Sequence, residues 1–337
     1  MKRTTLAKPV KGSVWVNGLA LGLALLVGCR WSEQTAGWQR GSAPATGSAA
    51  DASCARDLDA AWPPTAAGTD AQPGTERTFP PVSVMTWNLD WFQDPTEGPA
   101  DDAAQYAAVR EILWDTHRTV IALEELSSEA AFEHLLSDLP GYAGVLSGYA
   151  WTQKTALLWR SADFELSLCR AVSGLDDAGR PPLAVWLRRK ADGLPLRFIV
   201  IHAKAQADAQ SHAHRARFAQ GLKAYLDASR AQAPFVLLGD FNDRLEGSIT
   251  SGAVSPYQAF VRDPSYAEPT LPLEAPGAPE ASYASGTTLD HILLRADLAA
   301  DVVAGSVDVL REELQTRYPN FSHRVSDHFP VTLDLAL

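Results

Sequence analysis

Apolar residues fall along this chain in two rhythms. Short runs rich in Val, Ile and Leu, bounded by turn residues, predict strands at Val82–Leu89, Thr119–Leu123, Tyr142–Ser147, Thr155–Trp159, Phe164–Leu168 and Leu183–Leu187. Further runs predict strands at Leu196–Ile201, Pro234–Gly239, Thr288–Leu294, Val302–Leu310 and Val331–Leu335. Between them the spacing turns helical. Tyr106, Val109, Ile112 and Leu113 share one face of a helix over Asp101–Asp115. Phe218, Leu222, Tyr225 and Leu226 do the same over Ala207–Ser229. A shorter helix over Ser128–Leu136 is closed by Pro140-Gly141, and residues 264–280 form a Pro-rich loop. This order fits two strand–helix halves whose sheets pack together with helices outside.

The pattern breaks down before residue 79. Lys2, Arg3, Lys8 and Lys11 precede an apolar run from Val14 to Val27, which ends in Leu26-Val27-Gly28-Cys29. A basic start, a short apolar stretch and a small residue at the cut mark an export leader, too short to span a membrane readily. Residues 1–29 are therefore expected to be a leader and not part of the fold. Its ending resembles a bacterial lipobox, which implies a lipid on Cys29 and anchoring at the bacterial cell envelope, at the outer membrane in a Gram-negative cell. Residues 30–78 are dominated by Gly, Ser, Ala, Pro and Thr, a composition that cannot bury enough apolar surface to order itself. They are expected to be a tether, with Trp62 able to dock on the domain that fills 79–337. Cys54 and Cys169 could form one disulfide in an exported protein.

Over 337 residues the chain is 46% hydrophobic with a formal net charge of -11, and the leader contains no acid, so the remainder of the chain is more acidic still. Such a chain lacks the broad basic footprint of a tight, non-specific nucleic-acid binder, although a local basic cleft remains open to it.

The chemistry sits where polar residues interrupt the strands. Asn88 and Asp90 end the first run, Glu124 and Glu125 the second. His202 and Lys204 end another, and Pro234–Asp243 passes from a buried run through Gly239 into Asp240, Asn242 and Asp243. Asp290 and His291 open a strand; Asp327 and His328 precede the last one. One carboxylate at a strand end is ordinarily a cap or a surface group. Six such places with oxygen and imidazole groups, without a cysteine cluster or Gly-rich phosphate loop, suit phosphate chemistry around a hard cation. His212 and His214 stand two apart, on different helix faces, and read as a solvated helix start.

The strings TWNLDWF, IALEEL, IVIHAKA, LLGDFND, LDHILL and VSDHFPV resemble the ordered signature of the endonuclease/exonuclease/phosphatase superfamily over about Val82 to Leu335. The resemblance implies a four-layer α/β/β/α sandwich of two packed mixed sheets flanked by helices. It implies metal ligation by Glu125 and Asn88, with Asp327 at the metal edge. It gives Asp240 the attacking water, Asn242 a supporting place, and His328 a phosphate oxygen, with Asp290 fixing the His328 tautomer. His202 would stand beside the scissile phosphate, and Arg180 would contact it. Glu124 replaces a usual Gln, Asp90 matches an acidic residue some members use nearby, and Ala203 stands where a leucine is common. The glutamate that supports the His202 position in some members has no match here, which leaves Tyr149 or another group for that place. His291 and His323 are expected to be supporting or surface residues, and Asp243 structural.

The implied cofactor is Mg²⁺ or Mn²⁺, with Ca²⁺ as an alternative structural ion. The expected activity is hydrolysis of a phosphodiester by activated water, in a nuclease acting on nucleic acid, and the long helix after His202 carries Arg215, Arg217 and Lys223. The alternatives are a phosphatase or sphingomyelinase-type phospholipase, or a non-catalytic binding protein on the same fold. No protein partner is expected, and the chain is expected to be a monomer.

Overall fold

The computed structural model describes residues 79–149, 152–175, 178–275 and 281–337. The expected leader, Cys29, the tether, Trp62 and Cys54 lie outside the described residues. One six-stranded sheet contains β1 (Val82–Phe92), β2 (Val120–Leu126), β3 (Tyr142–Leu146), β4 (Lys154–Arg160), β11 (Asp308–Val309) and β12 (Val331–Leu335), in the order β11-β12-β1-β2-β4-β3. The other contains β5 (Phe164–Ala171), β6 (Leu183–Arg189), β7 (Pro195–His202), β8 (Phe235–Asp240), β9 (Tyr266–Ala267) and β10 (Asp290–Arg295), in the order β5-β6-β7-β8-β10-β9.

Each sheet is mixed for the same reason. β1 and β2 run parallel, as do β7 and β8, and the other pairs are antiparallel. A parallel pair needs a crossover, which α1 (Asp102–Thr116) and α3 (Ala209–Ala228) supply. Side chains alternate across the strands. On β7, Leu196, Phe198 and Val200 enter the main core, while Ile199 and Ile201 join the cluster with Phe218, Leu222 and Leu226 of α3. On β8, Val236 and Leu238 take the first side and Phe235 and Leu237 the second. The result is a two-sheet sandwich with flanking helices, as the apolar rhythm predicts.

Helix starts follow their capping residues. Asp101 accepts from the Ala104 amide, Ser128 at the head of α2 (Glu129–Ser137) from Ala131, and Asp208 from Gln210 and Ser211. The expected strand over Val302–Leu310 does not form. A 3-10 turn over Ala296–Asp301 precedes it, Val302 makes an isolated bridge to Leu335, Gly305 turns the chain at φ 77°, and Asp308–Val309 pairs as β11. The Pro-rich loop contains β9 and a 3-10 turn at Leu271–Glu274. Three short helices, α4 (Gln258–Val261), α5 (Arg311–Arg317) and α6 (Phe321–Arg324), are too brief to show a period in sequence.

The three cations carried on α3 meet different surroundings. Arg215 is fully buried. Its Nε donates to Asp243 Oδ2 at 2.9 Å, its Nη1 to the carbonyls of Lys204 and Gln206 at 2.8 Å each, and its Nη2 to Thr250 Oγ1. Asp243 also accepts from Ser248 and from the Ile249 amide, so it is structural as expected. Lys223 is paired with Asp227 and Asp263, which leaves Arg217 as the exposed member of the three. His212 touches the Val254 carbonyl at 2.9 Å from the helix start. Cys169, on β5, is disulfide-bonded.

Two measurements test these placements. Arg215→Met leaves the Asp243 carboxylate buried without its cation, and it should lower unfolding stability in urea by about 3–5 kcal/mol. His291 is fully buried, edge-on to the Phe241 ring at 5.3 Å, and burial depresses its pKa to about 4. The unfolded chain therefore takes up a proton near the ordinary imidazole value while the folded chain does not. Stability from this residue is present above about pH 6.5 and is lost as pH falls toward 4, by up to roughly 3 kcal/mol. His291→Phe should flatten that part of the stability profile between pH 7 and pH 4.

Candidate active site

The two parallel pairs place their C-terminal ends together. Asn88 lies in register with Glu124, His202 with Asp240, and Asp240 with Asp290. Between these ends opens a cleft of about 540 Å³, lined by Asp90, Trp91, Glu125, Gln153, Arg180, His202, Lys204, Gln206, Asp240, Asn242, Tyr283, Asp327 and His328. The β1–β2 register shifts between Asn88 and Phe92, and the β2–β4 register between Leu123 and Leu126. Those bulges re-aim side chains. Asp90, Trp91, Glu125 and Asn242 all adopt positive φ (51°, 55°, 62° and 49°), a conformation that non-glycine residues accept only when their surroundings enforce it. Gly239 sits at φ 137° beside β7, where a Cβ would overlap the Ile201 carbonyl oxygen. That close approach is why the turn into Asp240 needs glycine.

Asn88 links the acids. Its Nδ2 donates to Glu125 Oε1 at 3.2 Å and to Asp240 Oδ2 at 3.0 Å, and its Oδ1 accepts from the Asp90 amide at 3.0 Å. Glu125 Oε2 accepts from the Trp91 amide at 3.0 Å. Asn242 serves Asp240 twice, through its backbone amide at 2.7 Å and its side chain at 2.8 Å, and it also reaches the Ala203 carbonyl. Burial is the main cause that raises the Asp240 pKa, to about 7.

His328 and Asp290 are bonded as expected, Nδ1 to Oδ2 at 2.7 Å. Burial opposes a charged imidazole at this place. The negative charges of Asp290, Asp240 and Asp327 outweigh it and hold His328 well above its usual range. Nε2 then faces Asp240 at 3.9 Å and Asp327 at 3.8 Å. His202 is the opposite case. It is buried 3.4 Å from Glu125, and burial, followed by the nearby charges of Arg180, His328 and Lys204, keeps it neutral.

Arg180 lies in the cleft wall, but its donors are largely engaged there. Nε and Nη2 hold the carbonyls of His202 and Ala203 at 3.1 Å each, and Nη1 holds Gln153 Oε1 at 2.7 Å. It therefore braces the end of β7, in a place where its charge still faces the cleft. Tyr149 does not take the place beside His202, since its hydroxyl donates to the Gln153 carbonyl. Glu124 is fully buried and accepts from Thr86; burial, then Asp290 and Asp240, raise its pKa well above the usual value. His291 is a buried support and His323 is exposed.

Asp240, Asp290 and His328 bring ligand atoms within 4.8 Å of one another, close enough to hold an ion. The Asp290–His328 hydrogen bond and the two Asn contacts on Asp240 already use much of that set. Asp90, Glu125 and Asp327 offer the cleft-facing oxygens that a hard cation prefers. Burial first, then the neighbouring charges of Asp327 and Glu125, push Asp90 up to about 7. A cation bound there would relieve that crowding of acids. Reading the sequence did not single out Tyr283, Trp91, Gln153 or Gln206, which stand in loops or at a bulge where no periodic signal points to them.

Comparisons with known proteins agree with this geometry. No curated protein matches the chain. Among solved structures, the 3′ phosphatase NExo from Neisseria, bound to a product DNA hairpin, is 20% identical with a TM-score of 0.55, over 76% of this chain and all of that one. D. rerio TDP2 complexed with a single-strand DNA product is 15% identical with a TM-score of 0.56, over 75% and 98% of the two chains. A mannosyl-6-phosphatase from Bacteroides thetaiotaomicron is 17% identical with a TM-score of 0.53, over 76% and 100%. At these identities the likeness is one of fold. The family profile described as Endonuclease/Exonuclease/phosphatase family matches residues 85–328, most of the chain and every cleft element from β1 to His328. The chain belongs to the Endonuclease/Exonuclease/phosphatase family.

Proposed function

We propose that the protein is a divalent-metal-dependent hydrolase of phosphodiesters, with nucleic acid as its substrate and a single strand or strand end as the part that enters the cleft. The observation that carries the reading is the juxtaposition of the buried Asp240 carboxylate, its pKa near 7, with the Asp290-bonded His328. A base poised near neutrality and an acid held protonated across from it suit attack by water on phosphorus. Asp240 takes the proton of the water, and Asn242 and Asn88 fix the carboxylate that does so. His328 donates from Nε2 to a non-bridging phosphate oxygen, with Asp290 fixing its tautomer. His202, neutral, lends a hydrogen bond to the same group, and Arg180 and Lys204 draw the phosphate in.

Asp90, Glu125 and Asp327, whose carboxylates line the cleft, would hold Mg²⁺ or Mn²⁺. Once bound, the ion supplies charge neutralisation at the phosphate and leaving oxygens. Asn88, expected among the ligands, contributes by holding Glu125 and Asp240 in place. The cleft size and the burial of Arg215 favour a strand end over a continuous duplex. The same two observations favour, as a second reading, a phosphatase acting on a small phosphate ester. The leader pattern and Cys29 support export and lipid anchoring at the cell envelope.

With Mg²⁺, the protein should cleave a nucleic-acid or bis-aryl phosphodiester, tested beside plasmid DNA, RNA, a 3′-phosphorylated oligonucleotide, a sugar phosphate, sphingomyelin and phosphoinositides. Asp240→Ala and His328→Ala should each lower kcat by about 10³-fold or more with unchanged circular dichroism. Hydrolysis confined to the monoesters would move the assignment to the phosphatase reading, and activity retained by Asp240→Ala would overturn it. A chelator should abolish turnover, with recovery on adding Mg²⁺ or Mn²⁺; turnover unaffected by chelation would remove the metal from the mechanism.

A further inference from the structure

Behind His328 lies a loop that neither the strand pattern nor the family motifs mark. Tyr283 lines the cleft and packs its ring against the His328 imidazole, centroids 4.8 Å apart at 50°. The two residues also form an antiparallel bridge, and the Ala284 amide donates to the Asp327 carbonyl at 2.8 Å. Ser282 ties the same loop to the partner of His328. Its hydroxyl accepts from the amides of Leu289 and Asp290 at 3.0 Å each, and its carbonyl accepts from Phe329 at 2.7 Å.

One side chain holds this loop from outside. Arg311, at the start of α5, donates from Nη1 to the carbonyls of Ala281 and Tyr283, both at 3.0 Å, and from Nη2 to that of Ala284 at 3.1 Å. Its guanidinium also stacks over the Phe329 ring at 4.9 Å. A planar fork spreads its donors over separate nitrogens and so reaches three carbonyls spaced along a loop, whereas a lysine gathers its donors at one point. The grip therefore spans the loop on one side and the residue after His328 on the other.

We propose that Arg311 and Tyr283 form one positioning device, in which Arg311 fixes the 281–284 loop and the Tyr283 ring then fixes the plane of His328 over the cleft. Asp290 sets where Nδ1 points; the tyrosine ring prevents the imidazole from turning about that bond and covers one of its faces from water. The Tyr283 phenol lies beside the Asp327 carboxylate at the cleft rim. Burial and then the Asp327 charge keep the phenol protonated. The role assigned to His328 rests on the proposed function, but the state of its ring can be read without turnover.

The test compares Tyr283→Ala, Tyr283→Phe, Arg311→Met and Arg311→Lys in the full protein. The first readout is the downfield Nδ1 proton of His328 by NMR, the signature of a charge-assisted bond to Asp290 shielded from water. The native protein and Tyr283→Phe should show it, whereas Tyr283→Ala and both Arg311 variants should broaden or lose it. The second readout is bis(p-nitrophenyl) phosphate turnover. The three defective variants should lose about tenfold or more in kcat with KM within about twofold, and Tyr283→Ala combined with Arg311→Met should be no worse than either alone. An unchanged proton signal in Tyr283→Ala would overturn the proposal, as would losses that multiply in the double variant. If the Arg311 variants unfold, the Tyr283→Ala and Tyr283→Phe comparison decides alone. A signal that behaves as expected in an enzyme with no activity on any diester would refute the proposed reaction and leave the device standing.

Discussion

The Asn88 amide is the small contact on which the cleft depends. It comes from β1 in one sheet and bonds Glu125 of that sheet and Asp240 of the other. Two buried carboxylates brought this close repel each other, and burial penalises both. One amide nitrogen with two hydrogens between them satisfies both and sets their separation. Its oxygen, bonded by the Asp90 amide, in turn fixes the bulge from which Asp90 and Trp91 enter the cleft.

Sheet geometry accounts for the rest of the site. A parallel pair brings the C-terminal ends of two strands side by side, and here two such pairs end together. Acids and imidazoles at those ends converge from elements more than a hundred residues apart in the chain, as the Asn88–Asp240 contact shows. Convergence alone would not aim them. The bulges in β1 and β2, the positive φ of Glu125 and Asn242, and the glycine against Ile201 turn side chains that would otherwise alternate in and out into one opening. Strain is concentrated where the chemistry is, supported by a core that holds it.

Charge is distributed by the same logic. His202 and His328 both approach Asp240 Oδ2, at 3.7 Å and 3.9 Å, yet one is held neutral and the other protonated. Burial affects both alike. The difference is that Asp290 bonds the His328 ring at 2.7 Å, while His202 has Arg180 and Lys204 as neighbours. Two histidines in one cleft are thereby held in opposite charge states.

Much of this was legible in the chain. Buried strands such as Val331–Leu335 and the capped helices announce themselves by period, because a strand or helix facing a core must repeat its apolar side. Asp240, Asp290 and His328 were legible because strand-end polar residues are few and their motifs lie in a fixed order. The burial of Arg215 is not legible in sequence for a physical reason: an arginine at helical spacing looks the same whether it meets water or a buried aspartate from a distant loop. Tyr283 and Arg311 carried no signal at all, since loops have no period and a contact to backbone carbonyls leaves no mark on the residues that provide them. Local pattern together with the ordered motifs was enough to specify the sandwich and the acids and histidines of the cleft, because strand periods and strand-end residues are written in the chain itself. Which cation is buried, which histidine is charged and which loop stands behind it emerged only on folding, because each depends on distances between residues remote in the chain.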